Sequence, residues 1–188
     1  MKKLKFIYCA VIMFAAGQLF AQSEEDMKAW QAYMTPTESH KMLAKDVGKW
    51  KTEMSTYMDE KSPAIKSFGT SEVSMILGGR YQQSIFKGDF MGMAFEGIST
   101  TGYDNAKKIF VNTWVDNMGT GVMTMEGKWD KPGKVMTFLG KSTDPRTGKD
   151  VKVRQVLYFD NDDTQRMEMF MNMDGKEMKN MDLKMTRM

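Results

Sequence analysis

Cysteine and histidine are almost missing: 188 residues hold one of each. Cys9 falls in the leading apolar segment, so the remaining chain has no thiol. That excludes a disulfide framework and any cysteine-based metal site. The lone imidazole, His40, leaves zinc without a ligand set. It lies ahead of the strand-like segments, so no strand offers an axial ligand to a haem. Catalytic frames are missing as well: there is no Gly-x-Ser-x-Gly elbow, no glycine-rich phosphate loop and no His-Glu-x-x-His. Asp160 to Asp163 lacks the sixth-place glycine and twelfth-place acid of a calcium loop and reads as a turn. The residues call for no cofactor and no metal.

Long hydrophobic runs are also scarce. The one candidate, Phe6 to Phe20, is broken by Gly17 and Gln18 and is too short to cross a bilayer comfortably. Lys2, Lys3 and Lys5 precede it and the small Ala21 follows, the pattern of a cleavable secretory signal over residues 1–21 with no lipid-attachment cysteine context. A periplasmic or secreted protein with no membrane span after signal removal is expected. Excess charge disappears with that segment. The formal +3 comes from those three lysines, and removing them leaves 24 basic residues against 24 acidic ones. A nucleic-acid partner loses its electrostatic support. Nothing in the residues sets an oligomeric state.

What the chain does have is alternation. From Gly78 to Gly121 short runs alternate apolar with polar residues between Gly, Asp and Asn, the mark of antiparallel strands joined by tight turns. Residues 22–47 read as a helical segment: acidic residues open it, Met27, Trp30 and Met34 share one side, Pro36 interrupts, and Thr37 or Ser39 caps a second short helix carrying Met42 and Leu43. Residues 48–188 read as a barrel domain of ten strands. The first runs from Lys49 to Met58, with Trp50, Thr52, Met54, Thr56 and Met58 on one face. The second ends at Leu77, before a two-residue Gly78-Gly79 hairpin. The last runs from Glu177 to Arg187. Ten strands in meander order leave long edges unless they close, so the expected fold is all-β, an up-and-down antiparallel barrel with the N-terminal helices packed on or across one end. Even strand number then sets Trp50 and Arg187 side by side, both pointing in, with the guanidinium over the indole.

Gly48-Lys49-Trp50 is similar to the Gly-x-Trp that opens lipocalin and fatty-acid-binding barrels. A larger set of motifs is more specific: His40 to Leu43 ahead of Val47 to Trp50, Ile76-Leu77-Gly78-Gly79-Arg80-Tyr81, Phe95-Glu96-Gly97, Thr101-Gly102-Tyr103-Asp104, Thr113 through Thr120, Asp144 through Gly148, and Gly175-Lys176-Glu177. Together they resemble the bacterial domain-of-unknown-function 1579 family across nearly the whole mature chain. The resemblance implies a calycin-like β-barrel and no established activity.

Methionine is the compositional excess, with 22 in the chain. Met167, Met169, Met171 and Met173 alternate with Glu168, Phe170, Asn172 and Asp174, so their thioethers share a face. That face is core packing, an adaptable wall for an apolar ligand, or a site for cuprous ion. Arg80, Glu96, Trp114, Asp116 and Arg154 are the polar candidates. Trp114 shares its face with Phe110, Asn112 and Asp116, while Ile109, Val111, Thr113 and Val115 occupy the other; both faces are partly apolar, so the inward one is open. The leading expectation is a barrel that binds a small, largely apolar molecule. Its ligand wall would be drawn from Trp50, Met54, Arg80, Glu96, Asn112, Trp114, Asp116, Arg154, Met169 and Met171. The alternatives are an enzyme using Glu96 or Asp116 as a buried acid or base, and a structural or envelope-associated interaction module.

Overall fold

The computed structural model describes residues 24–59, 61–173 and 175–188, with only the backbone of Met173. The expected signal, residues 1–21, lies outside them. The chain divides after Thr35 into two compact units. The described part of the first is helix α1, Glu24–Met34, with Glu24, Glu25 and Asp26 in its first turn, where the helix dipole favours acids.

The second unit opens with helix α2, Glu38–Ala44, and continues as ten strands. These are β1 (Gly48–Thr56), β2 (Ile65–Ile76), β3 (Tyr81–Phe90), β4 (Met93–Asp104), β5 (Ile109–Asp116), β6 (Met123–Lys131), β7 (Val135–Thr143), β8 (Asp150–Asn161), β9 (Thr164–Met173) and β10 (Lys176–Arg187). Each pairs antiparallel with the next, and β1 pairs with β10, so the sheet closes on itself as the sequence predicts. The outer face carries Lys51, Glu53, Lys66, Glu72, Lys87 and Glu96, all exposed, rather than the apolar band of a bilayer-spanning barrel.

Closure follows the expected register. Trp50 and Arg187 are direct cross-strand partners, and the guanidinium carbon lies 4.3 Å from the indole centroid. Trp50 is fully buried and donates its Nε1–H to the Asp46 carbonyl at 2.8 Å. Arg187 donates to the carbonyls of Val47 and Lys45, each at 2.9 Å, and of Asp162 at 3.0 Å.

Residues 38–47 seal this end. Leu43 is buried in the core, and Gln82 of β3 donates to its carbonyl at 2.7 Å. The Asp46 carboxylate accepts from Gln82 at 3.1 Å and from Gln165 of β9 at 2.6 Å, side chains from nearly opposite points of the ring. Burial raises the Asp46 pKa above the usual carboxylate value, and the two amides and the Arg187 charge oppose that rise.

Thr37 caps α2, and His40 answers it. The Thr37 amide donates to His40 Nδ1 at 2.9 Å, the place a Glu or Gln takes in a capping box. Burial and the Arg80 charge hold the His40 pKa below 6.5, against a hydrogen bond at the Tyr103 backbone that raises it. A depressed histidine stabilises the fold fully above its unfolded value and loses that contribution as pH falls through the folded one. His40→Gln keeps an acceptor that does not titrate. Denaturant titrations should show wild type and variant within about 1 kcal/mol above neutrality, and wild type falling behind as pH drops toward about 5. A difference constant with pH would rule the imidazole out as the acceptor.

Two expected positions move. Met58 lies past the end of β1 and is exposed. Leu77 is not in β2 but in a four-residue turn with Gly78, Gly79 and Arg80, at φ 51°, where its side chain is exposed. Gly78 and Gly79 follow at φ 67° and 79°, left-handed values that glycine adopts without strain.

Candidate functional site

Cross-strand pairing decides the inward face. Trp114 sits opposite Ser99 and Met123, Asn112 opposite Thr101 and Met125, and Phe110 opposite Tyr103 and Gly127. Phe110 and Met125 are core residues at 2% and 1% exposure, so the Trp114 face of β5 looks into the barrel. The opposite face, with Val111 and Val115, looks out.

Inside, the wall is uneven. A buried cluster of Phe110, Met125, Met136, Phe138 and Val153 fills the β5–β8 side, with Leu43 of α2 against it. Three aromatics lie across glycines: Phe138 over Gly127, Trp114 over Gly97 and, on the outside, Tyr81 over Gly102. A Cβ at any of these glycines would enter the ring above it. The β2–β4 side is thin, since its inward positions include Gly69, Ser71, Ser84, Gly88, Gly97 and Ser99. The β9, β10 and β1 side is thioether-rich: Met169 faces Met181, Met171 faces Met178, and Met54 faces Leu183.

At the end away from α2, Trp114 lies flat along the wall above Gly97. Its Nε1–H donates to Asp116 Oδ2 at 2.6 Å, and Asp116 Oδ1 accepts from the Met118 amide at 2.9 Å. Phe86 meets the indole edge-on at 5.4 Å and Phe95 stacks at 6.2 Å. Asn112, 8% exposed, donates to Ser99 at 2.6 Å and Thr101 at 2.8 Å. Asp116 thus holds the Trp114 ring in place with one oxygen and the β5–β6 turn with the other, a positioning role rather than that of a free acid or base.

Seven of the ten sequence candidates therefore face inward: Trp50 at the sealed end, and Met54, Asn112, Trp114, Asp116, Met169 and Met171 further along. Three do not. Glu96 lies between the inward Phe95 and Gly97, points outward, and pairs with Lys87 at 3.5 Å in solvent, so it is not a lumen carboxylate. Arg154 lies between the inward Val153 and Gln155. It reaches across the outer wall to Glu177 in a two-pronged pair at 2.9 and 2.7 Å, stacked 3.9 Å over Phe170. That pair borders an open depression of about 210 Å3 with Leu139 and Lys152. Arg80 is in the β2–β3 turn and donates to the Leu77 carbonyl at 3.2 Å. Sequence reasoning also passed over Phe86, Phe95, Ser67 and Ser71. The available signal for the serines was phase: on β2 they alternate with Lys66, Phe68, Thr70 and Glu72, which face out.

Among the described residues no group of three His, Cys, Asp or Glu is placed to hold a metal ion, and no helix is long and apolar enough to cross a membrane. No curated protein matches the chain. The model of a family described as a protein of unknown function, DUF1579, matches residues 35–187, and the chain belongs to that family.

Proposed function

We propose that this is a secreted or periplasmic barrel that binds a small, largely apolar molecule in its lumen. One observation carries the reading. Met54, Phe86, Trp114, Met169, Met171, Met181 and Leu183 all point toward the barrel axis, yet each keeps solvent-accessible surface. A lumen filled by its own side chains would bury them, as it buries Phe110 and Met125. Flexible thioethers on one wall and a fixed aromatic group on another suit an apolar guest of variable shape. The compartment rests on the lysine-led apolar leader ending at Ala21.

Native mass spectrometry of protein purified from its own host tests the reading. A bound mass that survives gentle desolvation and leaves on denaturation is expected. Bare protein that also takes up no Nile red, a neutral apolar dye, would overturn it.

A further inference from the structure

The interior carries polar atoms that the fold leaves unused, and they bear on the kind of guest. Ser71 is 1% exposed and Ser67 6%, yet neither hydroxyl has a hydrogen-bond partner. Both face inward. Ser71 sits between Trp50 and Phe86, and Ser67 sits opposite Met54. Asn180, at the irregularity in β10, donates Nδ2–H to the Met171 sulfur at 3.1 Å, while its Oδ1 is buried and unpartnered. These three groups flank β1 on its two sides, one strand away in each direction. A buried hydroxyl or amide oxygen without a partner costs stability comparable to a lost hydrogen bond, so a fold without use for them would do better with alanine or leucine.

Charge narrows the guest further. Among the described residues the charged side chains facing the interior below the rim are Asp46 and Arg187 at the sealed end and Asp116 toward the open one. Arg187 is already engaged by carbonyls of residues 45, 47 and 162. Lys176, the first residue of β10, is exposed at the rim. Among the described residues no cationic side chain other than Arg187, which is held at the seal, faces the lumen below that rim. An ionised carboxylate drawn inside would lose its hydration with no countercharge to replace it. It would also bring no proton for Asn180 Oδ1, which only accepts.

We infer that the lumen selects an uncharged amphiphile carrying a hydroxyl group, with the hydroxyl against Ser67 or Ser71, which lie four residues apart on β2 and are met one at a time, and the hydrocarbon along the Met54, Met169, Met171 and Met181 wall. This rests on the lumen-binding reading above and adds the class of head group. It separates the protein from a fatty-acid carrier, which needs an interior cation that the fold has not already engaged.

Displacement of Nile red by 1-decanol, decanoate and decylammonium at neutral pH tests it, on wild type and on Ser67→Ala/Ser71→Ala. Decanol should displace the dye at least about tenfold more tightly than either charged probe, a difference of about 1.4 kcal/mol. The double variant should lose most of that preference while melting no lower than wild type, because it removes hydroxyls the fold does not use. Dye binding with decanoate equal to decanol would overturn the head-group inference and leave the lumen reading standing. Decylammonium binding tightest, and losing that advantage in Asp116→Asn, would overturn it in favour of the Asp116 charge. A double variant that melts well below wild type would show the hydroxyls to be structural and would also overturn it. Failure of Nile red and of every decyl probe to bind would remove the lumen reading itself.

Discussion

Arg187→Ala is expected to destabilise the barrel by on the order of 2–4 kcal/mol. The guanidinium performs three tasks at the seam. It covers the face of Trp50 at 4.3 Å, a partly buried cation–π contact. It satisfies the carbonyls of Lys45 and Val47 in the sealing segment and of Asp162 in the β8–β9 turn. It also pairs with Asp163 at 3.1 Å; that carboxylate is largely exposed and adds little. Arg187→Lys keeps the charge but cannot stack a planar group or reach several carbonyls from one fork, so it should recover only a minor part of the loss. Equilibrium denaturation of the two variants checks this. If lysine restores wild-type stability, charge alone holds the seam and the stack is incidental.

The second large effect is expected at Phe138. The ring is 2% exposed and lies directly across from Gly127, whose missing side chain is what makes room for it. Phe138→Ala should cost on the order of 3–5 kcal/mol, through lost burial and the cavity left behind. Gly127→Ala inserts a methyl where the ring carbons now lie, its Cβ falling 2.5 Å from Cδ1, and should cost about 1–3 kcal/mol by overpacking. Together the changes should cost less than their sum, because the new methyl occupies part of the space the ring vacates. Denaturant midpoints of the two single variants and the double one form the test. Strict additivity would mean that the ring and the glycine do not share that space.

Most of the fold was legible because the relevant signals are local. Alternation and turn residues such as Asp104-Asn105 and Asp144-Pro145 place nearly every strand within a few residues of its observed ends, and strand parity alone brings Trp50 to Arg187. The errors come from positions where local patterning is silent. Met58 continues the apolar phase of β1, but β10 offers no partner there, since its pairing ends at Met181 opposite Thr56. Leu77 is apolar and in phase, yet the three left-handed residues of the turn take it out of the strand. On β5 both faces carry apolar groups. Its inward face is set by what lies across the sheet, Gly97 and Gly127 leaving room for Trp114 and Phe138, which is a property of pairs of strands and not of one.

Glu96 and Arg154 mark the limit for the site. As types, a carboxylate and a guanidinium in a barrel suggest ligand contacts; phase puts both outside, where Lys87 and Glu177 answer them. The residues that shape the interior chemistry most are Gly97, Ser67 and Ser71, small groups notable for what they leave open. Nothing in their identity as single letters separates them from turn or surface residues.

The pairing order has a consequence for how the chain reaches this structure. Every neighbouring pair of strands is a hairpin between consecutive segments, except β1 with β10, which joins the two ends of the barrel sequence. Hairpins close short loops and form early, whereas the final pair must close nearly the whole chain before it returns any contact energy. The seam should therefore form after the transition state for folding. Trp50, Arg187 and the carbonyls that Arg187 holds would then stabilise the native state without speeding its formation. In stopped-flow measurements Arg187→Ala should steepen none of the refolding delay and instead raise the unfolding rate by nearly the full equilibrium loss. The Arg187 clasp acts as a latch on lifetime: it governs how long a folded barrel stays closed, while the meander governs how fast one is made.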